Sequence, residues 1–174
     1  MKYFELYNLP VSFLVDEAAI KKKYFTLSKQ FHPDFFGNAA ADKQHEMLEA
    51  STLVNKAFQT LTDFDKRMKY ILLEKGFLQE EEKFMLPQDF LIEMMELNEL
   101  LMDVKMEGNH ATIAAMELQI ADIDKALTDA ILPTLNTFKS TETEAAVYLS
   151  IKTYYYKRKY LQRVKNQLAG KVEM

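Results

Sequence analysis

Residues 16–61 read DEAAIKKKYFTLSKQFHPDFFGNAAADKQHEMLEASTLVNKAFQTL, and their pattern indicates the architecture of the N-terminal half of the chain. Asp16 is suited to be a helix N-cap, because its carboxylate can accept hydrogen bonds from the unpaired backbone N–H groups of the first turn. Apolar side chains then recur at helical spacing on one face, at Ile20, Tyr24, Leu27 and Phe31. Pro33 biases His32 away from helical dihedrals. The sequence therefore predicts a helix that begins after Asp16 and ends near Phe31.

A second long helix is predicted to begin within residues 40–43 and to end at about Leu61. Its apolar stripe is Ala50, Val54, Ala57 and Leu61, with Phe58 beside it. Because small alanines let a neighbouring helix approach closely, we expect the two long helices to pair in antiparallel fashion. His32-Pro33-Asp34 would then lie at one tip of this hairpin. Shorter helices are predicted at residues 3–9 and 65–73, the second capped by Gly76.

Two polar features of this hairpin suggest docking. Lys21, Lys22 and Lys29 concentrate positive charge on the first long helix of a chain whose net charge is -4. At the tip, proline fixes the backbone beside an imidazole and a carboxylate, which presents a small preorganised polar group. Such a surface is suited to binding a protein partner.

Composition limits the classes of protein that this chain can belong to. It has 174 residues, 48% of them hydrophobic, with four glycines, four prolines and no cysteine. This predicts a mostly helical protein without a disulfide framework, a thiolate metal site or a cysteine nucleophile. Without a signal peptide or a membrane-spanning stretch, we expect a cytoplasmic protein that binds no membrane. The net charge disfavours general nucleic-acid binding.

A change in composition after Gly76 predicts a second domain. Residues 79–83 are highly charged, and Leu86-Pro87 follows them. We therefore expect an N-terminal domain at residues 1–76, a linker at 77–87 and a C-terminal domain at 88–174. Helices predicted at residues 90–106, 111–138 and 142–168, with a kink or break at Pro133, indicate a three-helix bundle.

The first bundle helix carries two apolar stripes. Phe90, Met94, Leu97, Leu101 and Val104 form one, which should face the core. The other consists of Leu91, Met95, Met102 and Met106, bordered by Ile92, Glu96 and Glu99. An apolar strip with an acidic edge is typical of a binding surface, and flexible methionines suit an adaptable partner. Spacing alone leaves open whether this strip instead packs on another bundle helix or on the N-terminal domain.

Residues 1–76 resemble a J-domain, the module that activates DnaK-class chaperones. The resemblance rests on the basic helix, His32-Pro33-Asp34, the run VNKAF at residues 54–58 with Leu61, and Lys66-Arg67 followed by Tyr70. The run FLIEMMELNEL at residues 90–100 resembles a bundle segment of the HscB family, the J-domain co-chaperones of iron-sulfur cluster assembly. Nearly the whole chain resembles that family.

The resemblance implies two sets of site residues. Asp34 would meet an arginine of an HscA-like, DnaK-class chaperone, while His32 and Pro33 shape the loop. Lys21, Lys22 and Lys29 would meet an acidic groove of that chaperone. Phe35 departs from the lysine often seen after the tripeptide in that family.

The resemblance also implies contacts to the iron-sulfur scaffold protein IscU, made by Leu91, Ile92, Met95, Glu96, Glu99 and Tyr155. For the last of these, the sequence leaves open which tyrosine of residues 154–156 makes the contact. The chain would deliver IscU to the chaperone and stimulate its ATPase. It would not itself be an enzyme and would need no cofactor.

Two other groups of residues could suggest other functions. His32, Asp34 and His45 lack the tight paired spacing of metal ligands, so we expect no metal site. Residues 152–160 mix bases with tyrosines, a composition suited to stacking on nucleic acid, but on a helix they divide between buried and solvated faces. A J-domain protein with another client, a scaffold of an unrelated complex and a nucleic-acid adaptor are the remaining alternatives.

Overall fold

The computed structural model describes residues 1–107, 110–141 and 143–170, and over these residues every regular element is helical. The helices are α1 (Lys2–Leu6), α2 (Glu17–Gln30), a 3-10 helix (Pro33–Phe36), α3 (Ala41–Thr62), α4 (Phe64–Glu74), α5 (Gln88–Glu107), α6 (His110–Thr137) and α7 (Ala145–Leu168). The predicted all-α class is confirmed.

None of the helices in the described residues combines the length and the apolar character needed to cross a membrane.

The chain forms two compact units. Unit 1 comprises Met1–Leu78 together with Phe138–Thr143, and unit 2 comprises Gln79–Thr137 and Glu144–Met174. The connection between α6 and α7 therefore groups with unit 1, whereas both helices belong to unit 2.

Helices α2 and α3 form the core of unit 1. Asp16 caps α2 as predicted, because its Oδ1 accepts from the backbone N–H groups of Ala18 and Ala19 at 2.9 and 3.1 Å. The predicted stripes face inward: the buried side chains include Ile20, Leu27, Val54, Ala57 and Leu61. Burial of this apolar area is the main source of stability for the pair.

The two helices run antiparallel. Tyr24, in the middle of α2, donates a hydrogen bond to Oδ1 of Asn55 at 2.9 Å, and its ring stacks on Phe58 with centroids 4.2 Å apart. Near the start of α3, the Gln44 side chain donates to the carbonyls of Gly37 and Ala39 at 3.0 and 2.9 Å. These contacts fix residues 31–40, which we call the tip loop, at one end of the hairpin.

A buried cation, which the sequence did not reveal, joins the parts of unit 1. The Arg67 side chain is 3% exposed, its Nε donates to the carbonyl of Phe13 at 3.0 Å, and its Nη1 donates to the carbonyl of Leu61. Its guanidinium carbon lies 5.5 Å from the centre of the Phe64 ring. Burial lowers the pKa of Arg67, with nearby carboxylates opposing that shift. One side chain thus ties the loop before α2 to the end of α3.

Gly76 ends α4 as predicted. Its φ is +74°, a left-handed conformation that a side chain would strain. The N–H of Gly76 donates to the carbonyl of Leu73 at 3.0 Å, and that of Phe77 donates to the carbonyl of Leu72 at 2.9 Å. This pair of bonds is the Schellman arrangement that satisfies carbonyls at a helix end.

Unit 2 is a three-helix bundle in which α5, α6 and α7 contact one another. Its core joins the predicted inward stripe of α5 to α6 and α7, and consists of Phe90, Met94, Leu97, Leu101, Val104, Met116, Ile120, Ile123, Leu161 and Val164. Pro133 does not break α6, which continues for four more residues to Thr137. A kink or break was predicted there, and the break is wrong: only one turn of helix follows Pro133, so little regular structure depends on the N–H that proline lacks.

Residues 79–87, most of the stretch 77–87 that was predicted as a linker, belong to unit 2, and two of their side chains pack on α7. The Lys152 ammonium lies 2.5 Å from Oε1 of Glu82 and 5.2 Å from the centre of the Phe84 ring. The Phe84 ring stacks on Tyr156 with centroids 4.7 Å apart. Lys152 is buried, and among the described contacts Glu82 is the carboxylate that pairs with it.

Replacing Arg67 with alanine should destabilise unit 1 strongly. Arg67→Ala removes the donors to two carbonyls and leaves them buried, so we expect a loss of about 2–4 kcal/mol in the free energy of unfolding. Urea unfolding followed by circular dichroism measures this loss. Lys66→Ala is the matched control, because Lys66 is exposed and its ion pair with Asp63 is worth about 0–1 kcal/mol. Equal losses for the two variants would contradict the role given to Arg67.

The ion pair of Glu82 and Lys152 should make stability depend on pH. The hydrogen bond from Lys152 lowers the pKa of Glu82 below its ordinary value, with burial opposing the shift. The pair therefore stabilises the fold above the ordinary pKa, and this contribution is lost as the pH falls through the lowered pKa of the folded state. We expect Glu82→Gln to cost about 1–2 kcal/mol at pH 7.

The difference between wild type and Glu82→Gln should shrink as the pH falls below about 4.5, the ordinary pKa of glutamate. Thermal melts across this range provide the measurement, with Glu81→Gln as the control because Glu81 is exposed. A difference that is the same at pH 7 and pH 3 would contradict the assignment.

Candidate functional site

The tip loop presents an exposed carboxylate. His32 Nδ1 accepts a hydrogen bond from the backbone N–H of Asp34 at 3.3 Å and lies 3.7 Å from Asp34 Oδ2. The Asp34 side chain is 87% exposed and that of His32 is 52% exposed. Because Pro33 begins the 3-10 helix and His32 caps it, the backbone beneath Asp34 is held while its carboxylate remains available to a cation.

The basic face of α2, formed by Lys21, Lys22 and Lys29, is exposed and uncompensated. Within the described part of the chain no carboxylate forms an ion pair with any of these three lysines. Their charge can therefore act on an approaching acidic partner.

The basic residues of α7 differ from those of α2 because carboxylates of unit 2 neutralise several of them. Asp124 lies 3.2 Å from Arg158 and 2.8 Å from Lys165, while Lys152 pairs with Glu82. Tyr154 and Tyr155 of the same helix are buried. These contacts disfavour the alternative in which α7 stacks on nucleic acid.

The second stripe of α5 is exposed, whereas the first is buried. The exposed fractions are 36% for Leu91, 51% for Ile92, 63% for Met95, 67% for Met102 and 86% for Met106. We call these five side chains the apolar strip of α5. Glu96 and Glu99 are also exposed and border it. Within unit 2, therefore, the strip does not pack on another bundle helix.

Tyr155 does not join this exposed set. It is 8% exposed, and its ring lies 5.3 Å from that of Tyr156. The family resemblance implied that Tyr155 contacts IscU, but α7 is covered on more than one side. Bundle residues cover one side, and the segment with Glu82 and Phe84 packs on Lys152 and Tyr156. The expectation that Tyr155 belongs to the exposed client surface is therefore wrong, because its side chain is buried.

The residues considered as metal ligands do not form a cluster. His32 faces Asp34, whereas His45 Nε2 lies 3.5 Å from Oε1 of Glu49. Over the residues that the structure describes, no three histidine or carboxylate side chains are grouped closely enough to hold a metal ion.

One surface residue of α2 was not singled out from the sequence. Phe25 is 62% exposed and lies one helical turn from both Lys21 and Lys29. Its spacing from the buried residues Ile20 and Leu27 was the available signal, because it places Phe25 away from the core stripe.

Family models match both parts of the chain. The DnaJ domain matches residues 2–70, and the HSCB C-terminal oligomerisation domain matches residues 86–169. The tip loop and the basic face of α2 lie within the first match, and the apolar strip of α5 lies within the second.

Curated relatives and solved structures agree with these matches. A co-chaperone protein HscB homolog of Haemophilus ducreyi is 33% identical over 161 residues, covering 91% of each chain. A homolog of the same description from Shewanella amazonensis is 34% identical over 150 residues, covering 84% of this chain and 85% of the relative.

Among solved structures, the chaperone HscB from Vibrio cholerae has a TM-score of 0.75 at 25% identity, covering 98% of this chain and 96% of that one. The human co-chaperone protein HscB has a TM-score of 0.77 at 28% identity, covering 96% of this chain and 80% of that one. The chain, with its J-domain and its C-terminal bundle, therefore belongs to the HscB family of co-chaperones.

Proposed function

We propose that this protein binds the iron-sulfur scaffold protein IscU, delivers it to an HscA-like, DnaK-class chaperone and stimulates that chaperone's ATPase. The observation that carries the proposal is the presence of two exposed surfaces of different chemistry on separate units. Unit 1 has an exposed carboxylate and an uncompensated basic face, and unit 2 has the apolar strip of α5 with its acidic border. A cytoplasmic site of action fits the absence of cysteine from the chain.

The chaperone side of the proposal depends on Asp34. An exposed carboxylate on a fixed backbone forms a strong, directional hydrogen bond with an arginine, and little ordering of the loop is needed on binding. The lysines of α2 contribute differently. Because they are exposed, they mainly raise the rate of encounter with an acidic groove and make binding sensitive to salt.

The client side depends on the apolar strip of α5. Leu91, Ile92 and Met95 lie within two turns at the start of the helix, where burial against IscU supplies the affinity. Methionine side chains adjust to the shape of a partner at low cost. Glu96 and Glu99 give that surface a negative border, which favours a client with a basic edge and fixes its orientation.

Removing the Asp34 carboxylate should separate the two activities. Asp34→Ala should reduce stimulation of the chaperone's ATPase to the basal rate, because the arginine of the chaperone loses its partner, and should leave affinity for IscU unchanged. Steady-state ATP hydrolysis and calorimetry measure the two effects. Glu74→Ala is the control, because it removes one exposed acidic group at the far end of α4 without touching the tip loop. Loss of both activities in Asp34→Ala would contradict the separation.

Truncating the apolar strip should have the opposite effect. The double variant Leu91→Ala, Met95→Ala should weaken IscU binding at least about tenfold, because two side chains that become buried in the complex are lost. Stimulation of the ATPase by the chain alone should persist. Leu118→Ala with Leu149→Ala is the matched control, since these side chains are 68% and 50% exposed on α6 and α7. Unchanged affinity of the strip variant by calorimetry would remove the proposed client surface.

A further inference from the structure

Unit 1 exposes few large apolar side chains. Among the residues that the structure describes they are Phe25, Phe35 and Leu48, which are 62%, 67% and 54% exposed. Leu48 lines a groove with Lys2 and Lys56, on the side of α3 that faces α1. The two phenylalanines lie elsewhere: Phe25 is on the basic face of α2, and Phe35 follows Asp34 in the tip loop.

Phe25 lies in the middle of the basic face. Lys21 precedes it by one turn, Lys29 follows it by one turn, and Lys22 lies three residues before it. The core stripe of the helix, with Ile20 fully buried, points elsewhere. The centre of the Phe25 ring lies 5.8 Å from that of Tyr24. Most of the Phe25 side chain remains exposed to solvent.

Phe35 stands beside Asp34 in the 3-10 helix. Its ring meets that of His32 edge to face at 6.0 Å between centroids. The next residue, Phe36, is half-buried, so only one of the two adjacent phenylalanines packs against unit 1. Neither Phe25 nor Phe35 is needed to fill the core.

Charge and apolar area contribute differently to an interface. Exposed lysines raise the association rate and are screened by salt, whereas an aromatic ring buried in a pocket of the partner slows dissociation and is insensitive to salt. Single exposed apolar residues are common on protein surfaces. Here, however, one ring is framed by three lysines that form no ion pair with any described carboxylate, and the other adjoins the exposed carboxylate of Asp34.

We propose that Phe25 and Phe35 are apolar anchors of the chaperone-docking surface. The partner is the chaperone, whose acidic groove would contain an apolar pocket for each ring. The inference rests on the proposed function and extends it. The lysines and Asp34 would bring the surfaces together and orient them, and the two rings would supply affinity that does not depend on salt.

The test measures the concentration of the full chain that gives half-maximal stimulation of ATP hydrolysis by the cognate DnaK-class chaperone, at low and at high salt. Phe25→Ala and Phe35→Ala should each raise this concentration about tenfold, by the same factor at both salt concentrations. Lys21→Ala with Lys29→Ala should raise it at low salt and have little effect at high salt. Leu48→Ala is the matched control and should change it less than twofold.

Each outcome has a distinct meaning. The phenylalanine variants should melt like the wild type, because both side chains are exposed, so a loss of potency cannot be assigned to unfolding. If wild type stimulates and Asp34→Ala does not, but the phenylalanine variants stay within twofold of wild type, the anchors are refuted and the proposed function stands. If the wild-type protein does not stimulate ATP hydrolysis by the chaperone, the proposed function is refuted, and the anchors are refuted with it. An effect of Phe25→Ala that disappears at high salt would also overturn the inference.

Discussion

The packing of α2 on α3 is the constraint on which the proposed chaperone surface depends. The stack of Tyr24 on Phe58, the hydrogen bond from Tyr24 to Asn55 and the buried stripes fix the two helices side by side. The tip loop can then be short and held at both ends, by the end of α2 and by Gln44 of α3. The exposed position of Asp34 is a consequence of this packing, and so is the direction in which the lysines of α2 face. Arg67 stabilises the same arrangement by donating hydrogen bonds to the backbone carbonyls of Phe13 and Leu61.

A comparison of α2 with α7 shows why composition alone does not locate a binding surface. Both helices are rich in bases and aromatic residues, but Asp124 and Glu82 pair with cations of α7, and tyrosines of α7 are buried in unit 2. On α2 the lysines are uncompensated within the described residues, and Phe25 between them is exposed. The available charge, rather than the number of basic residues, distinguishes a docking surface from a structural one.

Periodicity and local backbone chemistry were sufficient to predict much of this fold. The cap at Asp16, the end of α2 near Phe31, the left-handed Gly76 and the two stripes of α5 each depend on residues close together in sequence. The features that were missed depend on distant partners. Arg67 binds the carbonyl of Phe13, 54 residues away, and a backbone acceptor leaves no signature in the sequence. Tyr155 was expected at the surface because it lies off the apolar stripe of α7, whereas its side chain is buried and its ring lies beside that of Tyr156.

In the proposed function, one chain joins a tip loop that activates a chaperone to an apolar strip that binds a client. The most direct test of this function is the rate of ATP hydrolysis by the cognate chaperone with this protein alone, with IscU alone and with both together. We expect the rate with both proteins to exceed the sum of the two separate stimulations, because the client is presented to the chaperone as the tip loop binds it. Merely additive rates, or no stimulation by this protein, would show that the chain does not couple client binding to activation of the chaperone.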